Sequence, residues 1–598
     1  MNKENKICQN CKQEFHIEPD DFGFYEKMSV PPPTWCPECR MIRRFIFRNE
    51  RNLFRRKDDI SGKEIFSSYP AAAPIMVYNH DYWWSDEWDA AQYGREYDFS
   101  RRFFDQFREL MYSVPWPSRS ILRLVNSDYS DNASDLKNAY LCFDGNEIEN
   151  SAYVVRGDAV KEGFDLYESR HSELSYESYM VDEAYRVFYS VNCEDCVDVW
   201  FSKDMIGCQN CFGCANLRGK SYYIFNQPYS KEDYKAYLSN LDLGSHSAVG
   251  ELKVKVKDLW LKYPVRFTLA INAVNSTGEH IERVKNVRMG YSIHECENIA
   301  YSQFLSPTAT DCWDYTLWGQ GSSKMYESLI CGEQCSNLKF CFECWPGCRD
   351  IEYSAFCRSS SDLFGCVGLN KKQYCIFNKQ YSKEEYFALR EKIIEHMNEM
   401  PYVSKDKRQE TRDKEIIYKY GEFFPPEFSP FAYNETIAQD FFPLKEDEAE
   451  SRGYLWRELD RREYETTINA FDLPDNIKGV DDSILKEIIK CGGCGRAYRI
   501  IQMEFEFYKR IGLPLPRLCQ DCRFSERFKF VNPPKWRRAK CQCNGAASDM
   551  RQETGNIYQN TVAHFHGDAH CPNEFETSYP PERPDIIYCE QCYKTEVY

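Results

Sequence analysis

Two sets of cysteines, one near each end of the chain, have the residue type and the spacing that metal binding needs. In each set a C-x2-C pair is followed, after twenty-four residues, by a second C-x2-C pair. Each pair turns the backbone so that both sulfurs face one point, and two pairs supply four thiolates that can close tetrahedrally on Zn²⁺. The predicted zinc ligands are Cys8, Cys11, Cys36 and Cys39 in the first set and Cys491, Cys494, Cys519 and Cys522 in the second.

These two sets belong to copies of one module. Residues 8–57 align without a gap on residues 491–540, with seventeen identities in fifty positions, and all the cysteines are among them. A looser similarity joins residues 67–82 to residues 577–592. The sequence therefore predicts matching zinc-ribbon modules at the two ends of the chain.

The carboxyl-terminal copy has further thiols for a third zinc site. The predicted ligands are Cys541, Cys543, Cys589 and Cys592. Alternatives close in sequence are Cys571, which could replace Cys543, and His564, His566 and His570. An open catalytic zinc would need a water ligand and a base such as Glu590, whereas the supply of thiols favours a closed structural site.

The amino-terminal copy has other residues at the places of these extra cysteines. Asp58, Asn79 and Tyr82 occupy the positions that correspond to Cys541, Cys589 and Cys592. The sequence therefore predicts that the amino-terminal module lacks the second metal.

A basic segment follows each ribbon. Residues 40–57 contain eight Lys or Arg and one acid, and residues 517–540 contain eight Lys or Arg and two acids, with aromatic residues between them. Such segments can neutralise phosphates and stack on unpaired bases. The alternative is that the arginines pair with acids of the same chain. The candidate nucleic-acid-binding residues are Arg40, Arg43, Arg44, Arg48, Arg55 and Arg56 in the first segment and Arg523, Arg527, Arg537 and Arg538 in the second.

The middle of the chain is a duplication. Residues 212–234 and 364–386 share fourteen identities in twenty-three positions, and a short C-x-[ND] signature recurs within each half. Small inward residues, with Asn and Asp at the turns, are what a parallel β-solenoid needs. Its cysteines are predicted to be stacked structural thiols, with further zinc or iron–sulfur sites as the alternative.

Helical segments complete the pattern. Ser230 and Ser382 are predicted N-caps of helices that close the two solenoids. Residues 98–114 and 250–264 are predicted helices, and the Trp- and Tyr-rich stretch 82–89 is interpreted as packed core.

Composition limits the protein class. The chain has 598 residues, 42% hydrophobic residues, 29 cysteines and a net charge of −17. The thiols, together with an amino terminus that has no apolar segment, favour a reducing cytoplasm and no membrane contact. The sequence has no H-E-x-x-H, no G-x-S-x-G, no P-loop and no dinucleotide-binding motif, and none of the cysteines has a context that singles it out as catalytic.

We therefore predict a multidomain, mainly β fold with helical connectors, in which two zinc-ribbon modules bracket a duplicated parallel β-solenoid-like region. The predicted segments are the amino-terminal module 1–63, an aromatic helical linker 64–123, solenoid 124–243, a helical connector 244–272, solenoid 273–400, a charged linker 401–487 and a double zinc module 488–598.

Several longer motifs carry a resemblance. CPECR, FRNERNL, YWWSDEWD, FFPPEFSPFAYNET and the final YCEQCY together resemble a family of long, cysteine-rich zinc-ribbon proteins from uncultivated bacteria with small genomes. The resemblance covers nearly the whole chain and implies a cytoplasmic zinc protein without an established activity. Members of this family often have a cysteine at the position of Asp58, so the resemblance implies that the loss of the second amino-terminal site is a departure of this chain.

The functional hypothesis is a zinc-binding, non-enzymatic scaffold or adaptor that contacts RNA or a ribonucleoprotein through the basic segments. Two alternatives come from other classes. One is a metal- or redox-dependent enzyme that uses solenoid cysteines, and the other is a self-assembling structural protein, with a homo-oligomer left open.

Overall fold

A computed structural model describes residues 3–404, 415–458, 464–545 and 558–598. The charged run at 405–414 and part of the predicted insertion at 544–570 lie outside the described residues. The chain forms two compact units, and each combines distant segments. One unit contains Met1–Arg119 and Thr268–Glu458, and the other contains Ser120–Phe267 and Leu459–Tyr598. Each unit therefore joins one terminal module to the solenoid that is farther from it in sequence.

The helices are short and lie outside the solenoid strands. They are α1 (Pro19–Lys27), α2 (Pro37–Phe45), α3 (His80–Trp84), α4 (Phe103–Ser113), α5 (Lys231–Ser239), α6 (His246–Trp260), α7 (Lys383–Glu399), α8 (Ile437–Phe441), α9 (Glu446–Ser451), α10 (Gln502–Ile511), α11 (Gln520–Phe528) and α12 (Glu590–Val597). Within the described parts of the chain, no helix has both the length and the apolar character that crossing a bilayer requires.

Each unit contains a parallel β-solenoid, as the sequence predicts. In the first solenoid, strands pair in parallel with strands twelve residues later, so Ala152 lies beside Phe164. Its strands are Ile121–Leu122, Asp131–Ser134, Lys137–Tyr140, Phe143–Lys161, Phe164–Glu173, Tyr176–Phe188, Val191–Glu194, Val197–Trp200, Lys203–Ile206, Gln209–Phe212, Ser221–Ile224 and the antiparallel Gln227–Pro228.

The second solenoid has the same plan with some longer turns. Several of its neighbours are thirteen residues apart, as in the pairing of Ser336 with Arg349. Its strands are Ala270–Ile271, Gly278–Glu282, Lys285–Arg288, Gly290–His294, Glu297–Ala300, Gln303–Leu305, Thr310–Trp318, Ser323–Leu329, Ser336–Lys339, Arg349–Glu352, Ser361–Phe364, Gln373–Ile376 and the antiparallel Lys379–Gln380.

The solenoid backbone turns at every third residue. From Asp135 to Asp204 each third residue has a positive φ, so a turn of twelve residues has four corners. A left-handed residue that is not glycine costs roughly 1 kcal/mol, and Asn and Asp tolerate it best. Interstrand hydrogen bonds offset this cost, helped by side-chain ladders such as Asn126 to Asn138 to Asn150 at 3.1 and 2.9 Å.

The residue after each corner points inward. Ser190, Cys193, Cys196, Val199 and Ser202 follow one another in steps of three, and all are buried. Small and medium side chains fit this narrow interior, which explains why cysteine is frequent there.

Helices close the carboxyl-terminal ends of both solenoids in the predicted way. The Ser230 side chain accepts the Asp233 amide at the start of α5, and Ser382 forms a capping box with Glu385 at the start of α7. Tyr234 of α5 packs on Tyr222 of its solenoid at a ring distance of 5.7 Å. These helices cover the last strands.

The terminal modules share one order of elements. In both, a small sheet leads to two helices, α1 and α2 in one copy and α10 and α11 in the other, and then to a hairpin and a final short helix. The strands of the amino-terminal unit outside the solenoid are Glu4–Ile7, Glu14–Ile17, Phe54–Lys57, Glu64–Ser67, Val77–Tyr78, Trp116–Pro117, Tyr402–Ser404 and Ile416–Tyr418. Those of the other unit are Pro264–Arg266, Ile468–Asn469, Ile489–Lys490, Ala497–Tyr498, Arg537–Lys540, Glu574–Thr577 and Ile586–Tyr588.

The aromatic stretch 82–89 is packed rather than open, as the sequence analysis favoured. Trp83 is buried and donates its indole N–H to the Pro115 carbonyl at 2.8 Å. The predicted helix 98–114 is α4, and the predicted connector helix is α6.

Candidate metal centres

The four predicted ligands of the amino-terminal ribbon converge on one point. The sulfurs of Cys8, Cys11, Cys36 and Cys39 all lie within 4.8 Å of one another, so this group could hold a metal ion. Cys8 follows the first strand of a hairpin, and Cys36 is the N-cap of α2, which places Cys39 in the first helical turn. The Cys36 amide donates to the Cys8 sulfur at 3.2 Å, and the Cys11 and Cys36 sulfurs are 3.8 Å apart.

The carboxyl-terminal ribbon repeats this geometry. Cys491, Cys494, Cys519 and Cys522 again converge within 4.8 Å. The Cys519 amide donates to the Cys491 sulfur at 3.2 Å, the same contact at the same distance as in the other copy. The sulfurs of Cys494 and Cys519 are 3.6 Å apart, and those of Cys491 and Cys522 are 3.8 Å apart.

An arginine adjusts one thiol of this second ribbon. Although partial burial acts in the opposite direction, the hydrogen bond from the Arg496 guanidinium at 3.4 Å lowers the pKa of Cys494 to about 6. Cys494 is therefore suited to bind a cation as a thiolate.

The third predicted site divides between two groups. Cys541, Cys589 and Cys592 converge with Cys571, which was the alternative ligand, rather than with Cys543. The Cys571 and Cys589 sulfurs are 3.9 Å apart, and the Cys589 amide donates to the Cys541 sulfur at 3.1 Å. Cys571 reaches this place because its amide donates to the Cys543 carbonyl at 2.9 Å, which anchors the returning end of the loop.

Cys543 belongs to a neighbouring group. Its sulfur lies within 4.8 Å of ligand atoms of His564, His566 and Cys592. Cys592 is therefore common to both groups. Sequence spacing alone could not assign the histidines, because the loop that carries them has no counterpart in the other module.

In the amino-terminal module, hydrogen bonds take the place of the third metal group. Asp58 stands where Cys541 stands in the other copy, and its carboxylate accepts the Asn79 amide at 3.1 Å, the distance of the Cys589-to-Cys541 contact. The Ser61 amide donates to Asp58 at 3.1 Å, and its hydroxyl donates there too. Although burial opposes the shift, these hydrogen bonds lower the pKa of Asp58.

The three arginines of α2 are buried, and they pair with acids of the same unit. Arg40 contacts Asp314 at 2.8 Å, and Arg44 contacts Glu327 at 3.2 Å. Arg43 bridges Glu327 at 3.0 Å and Glu422 at 2.9 Å. Their side chains are at most 1% exposed, so the positive charges of α2 are turned towards the solenoid.

The second basic segment makes the equivalent contacts in the other unit. Arg523 lies 2.9 Å from Asp165 and 3.1 Å from Glu504, and Arg527 lies 3.0 Å from Asp165. Burial opposes protonation of Arg523, but the nearby Asp165 outweighs it and raises the pKa of that guanidinium. Arg523 and Arg527 occupy the same places in α11 as Arg40 and Arg44 in α2.

The other candidate arginines have mixed surroundings. Arg48 and Arg56 are buried, and Arg56 contacts Asp59 at 3.2 Å. Arg537 donates to the Tyr579 carbonyl at 2.6 Å. Arg55 is about half exposed and pairs with Glu64, and Arg538 is exposed. Most of the candidate arginines thus pair with acids of the same chain, which was the alternative to nucleic-acid binding. RNA contact stays a prediction.

Comparison with known proteins adds no identity. No protein-family model matches the chain, and no curated protein matches it. One solved structure, a candidate acetyltransferase from Desulfovibrio desulfuricans G20, aligns with 50% of this chain and 77% of its own length at 11% identity. Its TM-score of 0.10 means that the two backbones do not superpose as a whole, so this likeness supports no argument.

The solenoid cysteines are hydrogen-bonded as thiols. The Cys208 sulfur lies 3.4 Å from the Ile206 carbonyl in its own turn and 3.4 Å from the Leu217 carbonyl in the next, and its single S–H can be donated to either. Burial raises the pKa of Cys142 and of Cys296 to about 12. Cys214 is an exception, because a hydrogen bond from the Cys211 thiol lowers its pKa.

The described residues place their convergent groups of three or more metal-ligand atoms in the terminal modules. The C-x2-C spacings of the solenoid arise instead from the three-residue interval between its corners. Sequence reasoning also missed Asp165, Asp314 and Glu327, which receive the arginines. All three have a positive φ and lie at corners of their solenoids, so an acid at a corner position was the available signal.

Proposed function

We propose that the protein is a zinc-stabilised, non-enzymatic scaffold, in which zinc folds each terminal module and each module clamps one solenoid. The spacing of the ribbon thiols carries this proposal. A tetrahedral zinc with metal–sulfur bonds of about 2.3 Å has sulfur–sulfur edges of about 3.8 Å. The ribbon pairs measure 3.8, 3.6 and 3.8 Å. Four thiolates also complete the coordination shell and leave no position for a substrate or a reactive water.

A direct structural path leads from each ribbon to its solenoid. Cys36 caps α2 and Cys39 lies in its first turn, so a bound ion would fix the start of this helix. The same helix carries Arg40, Arg43 and Arg44 into the carboxylates of the second solenoid. Cys519 and α11 make the corresponding connection to Asp165. Apparent zinc-binding free energies of about 10–16 kcal/mol in small modules are large enough to hold such loops.

The solenoid thiols support this proposal over a redox or metal enzyme. A nucleophilic or metal-binding cysteine needs a thiolate in a polar, accessible site. Cys142 and Cys296 are instead buried, with their pKa raised to about 12 by that burial. The capping helices α5 and α7 likewise favour solenoids that end over solenoids that stack into filaments.

RNA contact is a separate hypothesis that now concerns the exposed arginines. Arg55 and Arg538 occupy equivalent positions in the two copies and reach the surface. The matched test is a double Arg55→Glu and Arg538→Glu variant. Unchanged, salt-sensitive retention on an RNA column would end this hypothesis without affecting the scaffold proposal.

Metal analysis and chelation test the scaffold proposal. We expect the purified full-length protein to contain zinc in whole-number stoichiometry and no iron, and to have no visible absorbance from an iron–sulfur cluster. Removal of zinc by a strong chelator should expose α2 and α11 to hydrogen exchange. Solenoid strands distant from the modules should keep their protection. A protein that retains protection of both helices without metal would refute the proposal, and iron with visible absorbance would favour the enzyme.

A further inference from the structure

We propose that the carboxyl-terminal module holds two zinc ions bridged by the Cys592 thiolate. This inference rests on the proposed zinc function and extends it to a second kind of centre. One ion would be bound by the first set of ligands and the other by the second, with Cys592 in both. The two ligand sets are Cys541, Cys571, Cys589 and Cys592, and Cys543, His564, His566 and Cys592.

The position of Cys592 makes it the bridge. Its sulfur lies 3.3 Å from His566 Nε2 in the second set, and it converges with Cys541, Cys571 and Cys589 in the first. Cys592 is in the first turn of α12, and Cys589 is the N-cap of that helix, so the backbone fixes both sulfurs. A thiolate has more than one lone pair and can serve two metal ions.

The second set needs the shared sulfur to reach four ligands. Without Cys592, Cys543, His564 and His566 provide three ligands, and a zinc held by three protein ligands is open to water. With Cys592 the tetrahedron is closed on protein atoms. The net charge of the centre also favours two ions. Two divalent ions and the five thiolates of both sets carry a net charge of −1, whereas one divalent ion and the four thiolates of the first set carry −2.

Hydrogen bonds to the outer ring nitrogens fix both histidines in the tautomer that a metal requires. His564 Nε2 donates to the Glu596 carboxylate at 3.1 Å, and both side chains are fully buried. Its Nδ1 therefore carries the free lone pair and faces the Cys543 sulfur at 3.5 Å. His566 Nδ1 donates to the Ala569 carbonyl at 2.7 Å, which leaves Nε2 free towards Cys592. Carboxylate and carbonyl partners of this kind orient histidine ligands in zinc proteins.

The sulfurs also have the expected outer contacts. The side-chain amide of Asn560 donates to Cys543 at 3.2 Å, and that of Asn573 donates to Cys589 at 3.3 Å. Such donors stabilise thiolates that carry negative charge. Both ligand sets are thus supported by neighbours that do not themselves bind the ion.

The experiment uses the full-length protein loaded with cadmium-113. Two cadmium ions that share one thiolate should show scalar coupling between their NMR signals, one from a four-sulfur ligand set and one from two sulfurs and two nitrogens. The zinc-loaded protein should contain four zinc ions, two in the ribbons and two in this centre. A double His564→Ala and His566→Ala variant should lose one of the four and abolish the coupling.

His570→Ala is the matched control. His570 lies in the same loop, and its Nδ1 contacts the Cys571 carbonyl at 2.9 Å, outside both ligand sets. This variant should keep four zinc ions. Two results would overturn the bridged centre and leave the scaffold proposal intact. One is a total of three zinc ions with both ribbons loaded, and the other is the absence of coupling between the two cadmium signals of this centre. A protein without zinc would overturn both.

Discussion

The two terminal modules have the same fold but stabilise their second halves by different chemistry. In the carboxyl-terminal copy, thiols and histidines converge around the hairpin and the final helix. In the amino-terminal copy, the Asp58 carboxylate makes the backbone contact that the Cys541 sulfur makes in the other, and both contacts are 3.1 Å long. The hairpin geometry therefore does not itself require a metal. A carboxylate that accepts several amide hydrogens can hold the same turn.

The ribbons and the arginine clusters are kept in both copies. Arg40 and Arg44 meet carboxylates in one unit as Arg523 and Arg527 do in the other. The connection from ribbon to helix to solenoid is therefore the common feature of the modules, whereas the additional convergent thiols and histidines are, among the described residues, particular to one of them.

The largest effect is expected from removing an arginine of that connection. Arg44→Ala and its counterpart Arg527→Ala each leave a buried carboxylate with too little positive charge. Loss of one partner of a buried ion pair costs about 3–5 kcal/mol. Hydrogen exchange in α2 or α11 should report this loss in the unit that carries the substitution.

The paired control is Arg55→Ala and Arg538→Ala, which change equivalent residues at the surface. Each should alter stability by less than about 0.5 kcal/mol. If Arg44→Ala and Arg55→Ala had the same effect, the buried cluster could not be the connection between module and solenoid.

Local spacing was enough to predict the ribbons, the capped helices and the solenoid. The ligands Cys8 to Cys39 and the N-caps Ser230 and Ser382 depend on a few neighbouring residues, so the sequence shows them directly. The solenoid follows from repetition, since each turn packs only on its neighbours.

Long-range pairing could not be predicted in the same way. Arg44 and Glu327 are far apart in sequence, and their contact depends on the amino-terminal module packing on the second solenoid. The place of Cys571 depends on how its loop returns to Cys543. In both cases the deciding contact exists only after the chain has folded.

The same C-x2-C spacing also had two causes. In the ribbons it brings two thiols into a convergent group of four that could hold a metal ion, and in the solenoid it reflects corners three residues apart. Cys208, Cys211 and Cys214 continue the phase of Ser202 and Met205, so the extended series distinguishes the two cases.

A transplant of thiols into the amino-terminal module tests whether its hairpin can bind a metal ion as the other hairpin is proposed to do. Asp58, Ser61, Asn79 and Tyr82 correspond to Cys541, Cys571, Cys589 and Cys592, because the Asp58 and Cys541 amides donate to equivalent carbonyls of Lys63 and Asn573, both at 2.9 Å. Changing these four residues to cysteine should add one zinc ion per chain. At free zinc 100-fold above the dissociation constant, binding would stabilise the module by about 2.7 kcal/mol.

The control for the transplant replaces Asp58, Asn79 and Tyr82 with serine and keeps Ser61, because serine is similar in size to cysteine but does not bind zinc in this way. It should gain no zinc and should be less stable with or without it. If the four cysteines bound no additional zinc, the two hairpins would differ in more than their ligands.

Among the changes that should alter the stability of a module beyond the level of the surface controls, the smallest effect is expected from Asp58→Ala. This change leaves the Ser61 and Asn79 amides without their acceptor, and loss of hydrogen bonds to a charged group costs about 2 kcal/mol. Asp58→Asn keeps an acceptor oxygen and should recover more than half of the loss, as measured by hydrogen exchange of strand Glu64–Ser67. Zinc content should stay unchanged in both variants, since Asp58 belongs to no convergent ligand group among the described residues. A loss of zinc with Asp58→Ala would mean that this carboxylate acts on the neighbouring ribbon, and the two modules would then be less alike than their backbones indicate.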